Sequence, residues 1–401
     1  MVKNSKVLLI VAGLTAIVLN ALVFAAPIVP PDFKVQTVVD NANLPAALAL
    51  APDGRLFYTE NDTGKVRVIK DGKLLDEPFV DVAVNFLGNR GLTGITFHPD
   101  FENNGYVYIS YDSSSTGDDT SVLTEVTEYR VVRFTANGDV AQPGSETLIY
   151  SAVARKNHPG HSNGTLKFGP DGKLYISIGD KRQAGRAGLL DWTNGKILRL
   201  NDDGSIPADN PFANDGDPNT LGEVYAYGLR NSYQFTFQPI TGRLFAAENG
   251  PNAHDEIDIV QAGMDYGWNA VQGFADQPGE QAYASGHANY QDPILDILDT
   301  VAPTGIGFTK ANRLLFGEFV TGKIRMVTLM KPGVDEILSV ADWGTGLGNI
   351  TDILIVNNNR MYVSNVSQIL VVQHSPEPGT LLLFAIGLIG LTGIGYSRRK
   401  R

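Results

Sequence analysis

Two histidines stand three residues apart in a glycine-rich loop, His158-Pro159-Gly160-His161-Ser162-Asn163-Gly164, immediately before a strand-like run. Such a pair could ligate a metal, supply a general base, or only fill a turn. A neutral imidazole suits base chemistry because its pKa lies near working pH. The chain of 401 residues contains no cysteine. Thiol nucleophiles, thiolate metal sites and disulfides are therefore excluded. The net charge of -11 argues against a nucleic-acid partner, because phosphate contacts need basic surface.

The elements that must position these residues read as strands. Between Phe33 and Val372 no long amphipathic helical pattern appears. Short β-branched or aromatic runs alternate with Gly, Pro, Asp and Asn clusters. Pro52-Asp53-Gly54 leads into Arg55-Leu56-Phe57-Tyr58-Thr59, and Pro170-Asp171-Gly172 into Lys173-Leu174-Tyr175-Ile176-Ser177. Looser versions are Asn358-Asn359 before Arg360-Met361-Tyr362-Val363-Ser364 and Pro239-Ile240-Thr241-Gly242 before Arg243-Leu244-Phe245. Proline presets the turn and glycine supplies the positive φ that reverses the chain. The strand after each turn alternates apolar with polar residues, as expected of a blade covered on both faces. About 340 residues of such units predict an all-β, six-bladed β-propeller of four-stranded blades. A pair of β-sandwiches is the competing architecture.

Both ends read as address labels. Lys3 and Lys6 precede an apolar stretch from Val7 to Ala26, with small residues at Ala25 and Ala26. This predicts a signal peptide over residues 1–26, although the run is long enough for an uncleaved anchor helix. At the other end, Pro376-Glu377-Pro378 precedes an apolar run from Gly379 to Tyr396 and the basic close Ser397-Arg398-Arg399-Lys400-Arg401. An apolar span followed by arginines is a C-terminal transmembrane helix with its basic side in the cytoplasm. The order of the three features over residues 376–401 resembles the PEP-CTERM signals of Gram-negative bacteria. That resemblance implies an exosortase-type processing partner, at least transient membrane anchoring, and delivery to the periplasm, cell surface or matrix. Residues 27–375 remain as the propeller.

The run from His161 through Gly164-Thr165-Leu166-Lys167-Phe168-Gly169-Pro170-Asp171-Gly172 to Ile178-Gly179-Asp180 resembles the signature of the soluble quinoprotein glucose/sorbosone and aldose sugar dehydrogenases. Further stretches follow the same order. Gly91-Leu92-Thr93-Gly94-Ile95-Thr96-Phe97-His98-Pro99-Asp100-Phe101 precedes it. Gly195-Lys196-Ile197-Leu198-Arg199-Leu200, Tyr227-Gly228-Leu229-Arg230-Asn231, Gly250-Pro251-Asn252, Asp255-Glu256-Ile257 and Tyr266-Gly267-Trp268 come after it. The resemblance implies pyrroloquinoline quinone as cofactor, held over Ca²⁺ at the channel mouth. It also implies a sugar substrate and an external electron acceptor. His161 matches the family's base and Arg230 the cation beside the reactive quinone carbonyl; Asn231 is its neighbour, and Asn89 aligns with an early cofactor-contacting position. Gly250 and Pro251 match backbone carbonyl ligands of the cofactor's Ca²⁺, hard oxygens suited to that ion. Glu256, Tyr266 and Asp276 resemble a second calcium cluster, while Asp255, Glu256 and Asp258 also read as a solvated loop.

The pattern also departs from the family. A late-blade Arg-x-Arg pair aligns with Asn349-Ile350-Thr351-Asp352-Ile353, and a lysine with Thr321, two residues before Lys323. Gly160 replaces an acid before the base. Hydrogen bonds to charged groups contribute about 1.5–3 kcal/mol each, so losing two weakens a tricarboxylate by about two to four orders of magnitude. Arg90, Lys181, Arg182, Arg186, Lys310 and Arg313 are the candidate substitutes. Three functions follow: a quinone-dependent aldose dehydrogenase, a non-catalytic exported propeller that binds saccharide or protein, and a calcium-dependent lactonase propeller.

Overall fold

The computed structural model describes residues 26–154, 157–162 and 164–375. The segments read as signal peptide and sorting tail lie outside the described residues, apart from Ala26. Among the described residues no helix is long and apolar enough to cross a membrane.

Six antiparallel sheets carry the chain. Their first strands, Pro45–Leu50, Leu92–Phe97, Leu166–Phe168, Ser232–Phe237, Pro303–Phe308 and Ile350–Asn357, surround the central axis. This is the predicted six-bladed propeller. The second strands follow the Pro-Asp-Gly turns, as Leu56–Glu60 and Leu174–Ile178 do, and all five residues of each are buried. Neighbouring blades cover both faces, so even Thr59 and Ser177 are fully buried. Polar positions in these strands do not reach solvent. Glu60 is answered by Thr63 Oγ1 at 2.7 Å and Arg67 at 3.1 Å. Glu318 repeats the arrangement with Thr321 and with Arg325 at 3.1 Å.

Aromatic rings fill the seams between blades. A phenylalanine ending one inner strand meets an aromatic ring on the second strand of the preceding blade. The pairs are Phe57 with Phe97 at 5.0 Å, Tyr108 with Phe168 at 5.2 Å, Tyr175 with Phe237 at 5.1 Å, and Phe245 with Phe308 at 4.9 Å, all edge-to-face. Such pairs add to the burial of large apolar surface. In the last two seams Leu315 with Ile355 and Tyr362 with Leu50 share clusters instead.

At the mouth the inner strands are stitched by short polar side chains. Thr165 Oγ1 donates to Tyr233 O at 2.6 Å, Thr304 Oγ1 to Ile350 O at 2.8 Å, and Thr351 Oγ1 to Pro45 O at 2.6 Å. Five inner strands begin with a register shift, between Pro45 and Leu48, Leu92 and Gly94, Ser232 and Gln234, Pro303 and Ile306, and Ile350 and Asp352. A bulge bends the strand and re-aims a side chain, here at the rim where a ligand would sit.

The ring closes through its N-terminus. Phe33–Val39 is the outer strand of the sixth blade, antiparallel to Ile369–His374 with Phe33 opposite His374 and Val39 opposite Ile369. This pairing covers the edge of Ile369–His374, which would otherwise be an open template. Phe33, Val35 and Val38 are half-buried and Val39 is buried, a burial that contributes about 4 kcal/mol. A chain beginning at Asn41 should therefore melt about 6 °C below one beginning at Pro27 when followed by circular dichroism. Equal melting temperatures would show that closure does not hold the ring.

Candidate active site

The rim encloses a cavity of about 350 Å³, within the range of small-ligand pockets. Inner-strand residues Pro45, Ala46, Thr93, Tyr233, Thr304 and Thr351, with Thr165 just before its strand, form its floor, and loop residues Asn89, His161, Arg182, Asn231 and Asn249 its wall. Four of the residues singled out in the sequence, Asn89, His161, Arg182 and Asn231, therefore meet in one place. His158 is exposed and is not in the wall, so the two histidines do not converge.

His161 is held by buried Asp180. Its Nδ1 lies 2.6 Å from Asp180 Oδ1, at the end of the strand Leu174–Ile178. In the neutral ring, an Nδ1–H donated to that carboxylate leaves Nε2 as the nitrogen able to accept a proton. Asp180 Oδ1 also accepts Arg182 N at 2.7 Å, and Oδ2 accepts Trp268 Nε1 at 2.9 Å. Burial works against the Asp180 charge, but the bonds from His161, Trp268 and Arg182 outweigh it and hold the carboxyl below its usual range. Gly179 is required beside it, because a Cβ there would come 2.4 Å from His161 O.

Backbone strain gathers here. His161, Lys181 and Arg182 have φ of +56°, +51° and +52°, a region that L side chains enter at a cost of about 1 kcal/mol or more each. The next residue of the loop is tied down by Ser162 Oγ, which donates to Asp112 Oδ2 at 2.6 Å; burial pushes the Asp112 carboxyl up to about 6 against that bond. Asn89 is exposed at the rim, and its N–H donates to Pro159 O at 3.0 Å.

Arg230 lies behind this wall, facing a void of about 20 Å³ together with Glu248, Gly250, Pro251, Glu256, Tyr266 and Trp268. One guanidinium nitrogen donates to Asn249 O at 2.6 Å, and the group lies 5.4 Å from the Trp268 ring centre. Burial lowers its pKa, with Glu248 and Asp180 opposing. Its carbonyl accepts Asp180 N at 2.7 Å, so base and cation are joined across two blades. Burial pushes Glu248 up to about 7 against bonds from Ser232, Asn231 N and Arg230 N.

Two observations bear on a bound group. Asn231 Oδ1 and Asn249 Oδ1, buried in the cavity wall, have no partner among the described residues, so a polar ligand would complete them. The small void is water- or ion-sized and is lined by the two residues with candidate carbonyl ligands and by two carboxylates. The residues present therefore fit a polar cofactor with a hard cation beside it. Glu256 Oε1 accepts Gly273 N at 2.6 Å, and the Tyr266 hydroxyl donates to Ile259 O at 2.7 Å. Asp276 is exposed, its carboxylate engaged by Gln277 Nε2 at 2.7 Å, and it does not line this void. Among the described residues no group of three or more acidic or histidine side chains is arranged to hold a metal by itself.

Asp180, Trp268 and Glu248 were not among the sequence candidates. The signal for Asp180 is the Gly-Asp pair closing the strand after the histidine loop: a glycine for close approach, then an acid.

The family description Glucose / Sorbosone dehydrogenase matches residues 42–367, and the PEP-CTERM protein-sorting motif matches residues 376–401. Quinoprotein glucose dehydrogenase B of Acinetobacter calcoaceticus is 33% identical over 313 residues, 72% of this chain and 63% of that protein. Aldose sugar dehydrogenase YliI of Escherichia coli is 29% identical over 301 residues, 74% of this chain and 78% of its own. Among solved structures, an oxidoreductase described as a glucose dehydrogenase from Thermus thermophilus superposes with a TM-score of 0.74 at 26% identity, covering 85% of this chain and 99% of that one.

The Asp180 bonds carry a pH signature. Its folded pKa lies below the ordinary value of 3.8, so its stabilisation is present above that value and is lost as pH falls through the folded one. Asp180→Asn should flatten the acid limb of a melting-temperature profile below about pH 4. An unchanged limb would contradict the charged hub.

Proposed function

The chain belongs to the glucose/sorbosone dehydrogenase family, and from that premise we propose that it oxidises aldose sugars at the anomeric carbon with pyrroloquinoline quinone and Ca²⁺. The observation that carries this reading is the His161–Asp180 pair in the wall of a ligand-sized cavity. Bound there, the quinone supplies a two-electron acceptor and Ca²⁺ a polarising charge beside it. Asn89, Asn231 and Asn249 would hold the cofactor through their amides, and the carbonyls of Gly250 and Pro251 the ion. His161 Nε2 takes the proton of the sugar's anomeric hydroxyl, while Asp180 keeps the ring oriented and stabilises the imidazolium as it forms. Arg230, outside the cavity lining and bonded to Asn249 O, would favour developing negative charge from behind the wall and not by contact. Glu256 and Tyr266 are assigned to a second, structural calcium on the family resemblance alone; Asp276, exposed and apart from them, is not.

The sorting motif supports export to the periplasm or cell surface, with an exosortase-type enzyme as processing partner and an external electron acceptor. The acid-bearing segment Asn349 to Ile353, which brings no cation to the cavity, favours a second reading: an exported propeller that binds saccharide or protein without turnover.

Reconstitution of the full chain with Ca²⁺ and the quinone, followed by an aldose and a dye acceptor, separates the two. Dye reduction is expected, and His161→Ala should lower kcat by about 10²–10⁴-fold in a chain whose circular dichroism still shows it folded. Absence of dye reduction across an aldose panel would select the binding reading, and full turnover in the variant would remove His161 as the base.

A further inference from the structure

A tricarboxylate needs cations, and the described residues lining the cavity include one lysine or arginine, Arg182. The other candidate substitutes are placed elsewhere. Arg90 is buried against Asn85 Oδ1 and Leu123 O, Lys181 donates to Val153 O, and Arg186 stacks 3.4 Å above the Trp192 ring centre. Lys310 and Arg313 are exposed and are not in the cavity wall. Lys323 pairs with Asp342 at 3.0 Å.

Asn349 Nδ2 donates to Phe319 O at 2.8 Å, Thr351 Oγ1 to Pro45 O, and Asp352 accepts Leu48 N at 2.8 Å. This late-blade segment is committed to the seams between blades. It offers no positive charge to a ligand.

Arg182 is exposed at the mouth, on a left-handed backbone fixed by the bond from its N–H to Asp180. Its side chain crosses Gly160: a Cβ on Gly160 would lie 2.4 Å from Arg182 Nε. The missing side chain before His161 and the arginine over it are therefore two halves of one arrangement. It brings a planar, permanently charged fork to the rim.

We propose that Arg182, seated in the space left by Gly160, is the residue that grips a carboxylate of the quinone at the cavity mouth. The assignment rests on the quinone reading above. A guanidinium–carboxylate pair is commonly bidentate and stronger than a neutral hydrogen bond.

The test is binding, not turnover. Pyrroloquinoline quinone is titrated into the full chain in detergent with saturating Ca²⁺, and Kd is read by absorbance with melting temperature measured in parallel. Arg182→Ala should weaken binding about 10- to 100-fold and Arg182→Lys less. Gly160→Ala should weaken it in the same direction, because the added methyl displaces the end of a flexible side chain and leaves the fold intact. Equal Kd for wild type, Arg182→Ala and Gly160→Ala would overturn the role of Arg182 while leaving the quinone reading standing. Failure of the wild type to bind at high micromolar quinone would overturn that reading, and this proposal with it. If Arg182→Ala melts early, Gly160→Ala alone decides.

Discussion

One buried carboxylate organises the mouth of this propeller. Asp180 is 1% exposed, and an ionised group in such a place costs several kcal/mol unless its oxygens are satisfied. Its oxygens accept bonds from the His161 ring, the Arg182 backbone and the Trp268 indole. Its own N–H and C=O engage Arg230 O and Asn194 Nδ2. The constraint thus sets the tautomer of the base, the turn that presents the rim cation, and the distance between third and fourth blades. The left-handed backbone at His161, Lys181 and Arg182 persists because these bonds over-determine it.

The second constraint is closure of the ring. Six inner strands must meet around an axis, and their first residues are used twice, once to join blades and once to line the cavity. Thr165, Thr304 and Thr351 serve both purposes. A position spent on a seam cannot also carry a long cation into the cavity, which is the physical meaning of threonine and aspartate in the late-blade segment. The charge at the mouth comes instead from Arg182, on a loop outside the strands.

Much of the architecture was legible because turns are local. Pro-Asp-Gly before Leu56 and before Leu174 marked second strands, and their spacing gave the blade number. The inference that polar residues alternate in those strands was right, but the position of Glu60 or Ser177 in a sealed interior depends on the neighbouring blade. The recurring phenylalanine at Phe97, Phe168, Phe237 and Phe308 was open to reading, since each ends an inner strand just before a turn. Pairing of Phe33–Val39 with Ile369–His374 was not, because nothing local links segments more than 300 residues apart. At the site, the family motif ran from His161 to Asp180, but the bond between their side chains, 19 residues apart, is visible only in the fold. The placement of Arg182 over Gly160 needs three dimensions, as does the separation of Arg230 from the main cavity. The resemblance groups Asp276 with the acidic cluster, whereas its side chain is exposed to solvent.

The central claim is that the cavity walled by His161, Arg182, Asn231 and Asn249 is where the quinone sits. The most direct measurement is a crystal structure of the protein grown with pyrroloquinoline quinone and Ca²⁺. The expected result is quinone density in that cavity, with His161 still bonded to Asp180 and its Nε2 turned to the open face of the ring. Quinone bound elsewhere on the propeller, or a cavity without it at saturating concentration, would contradict the claim.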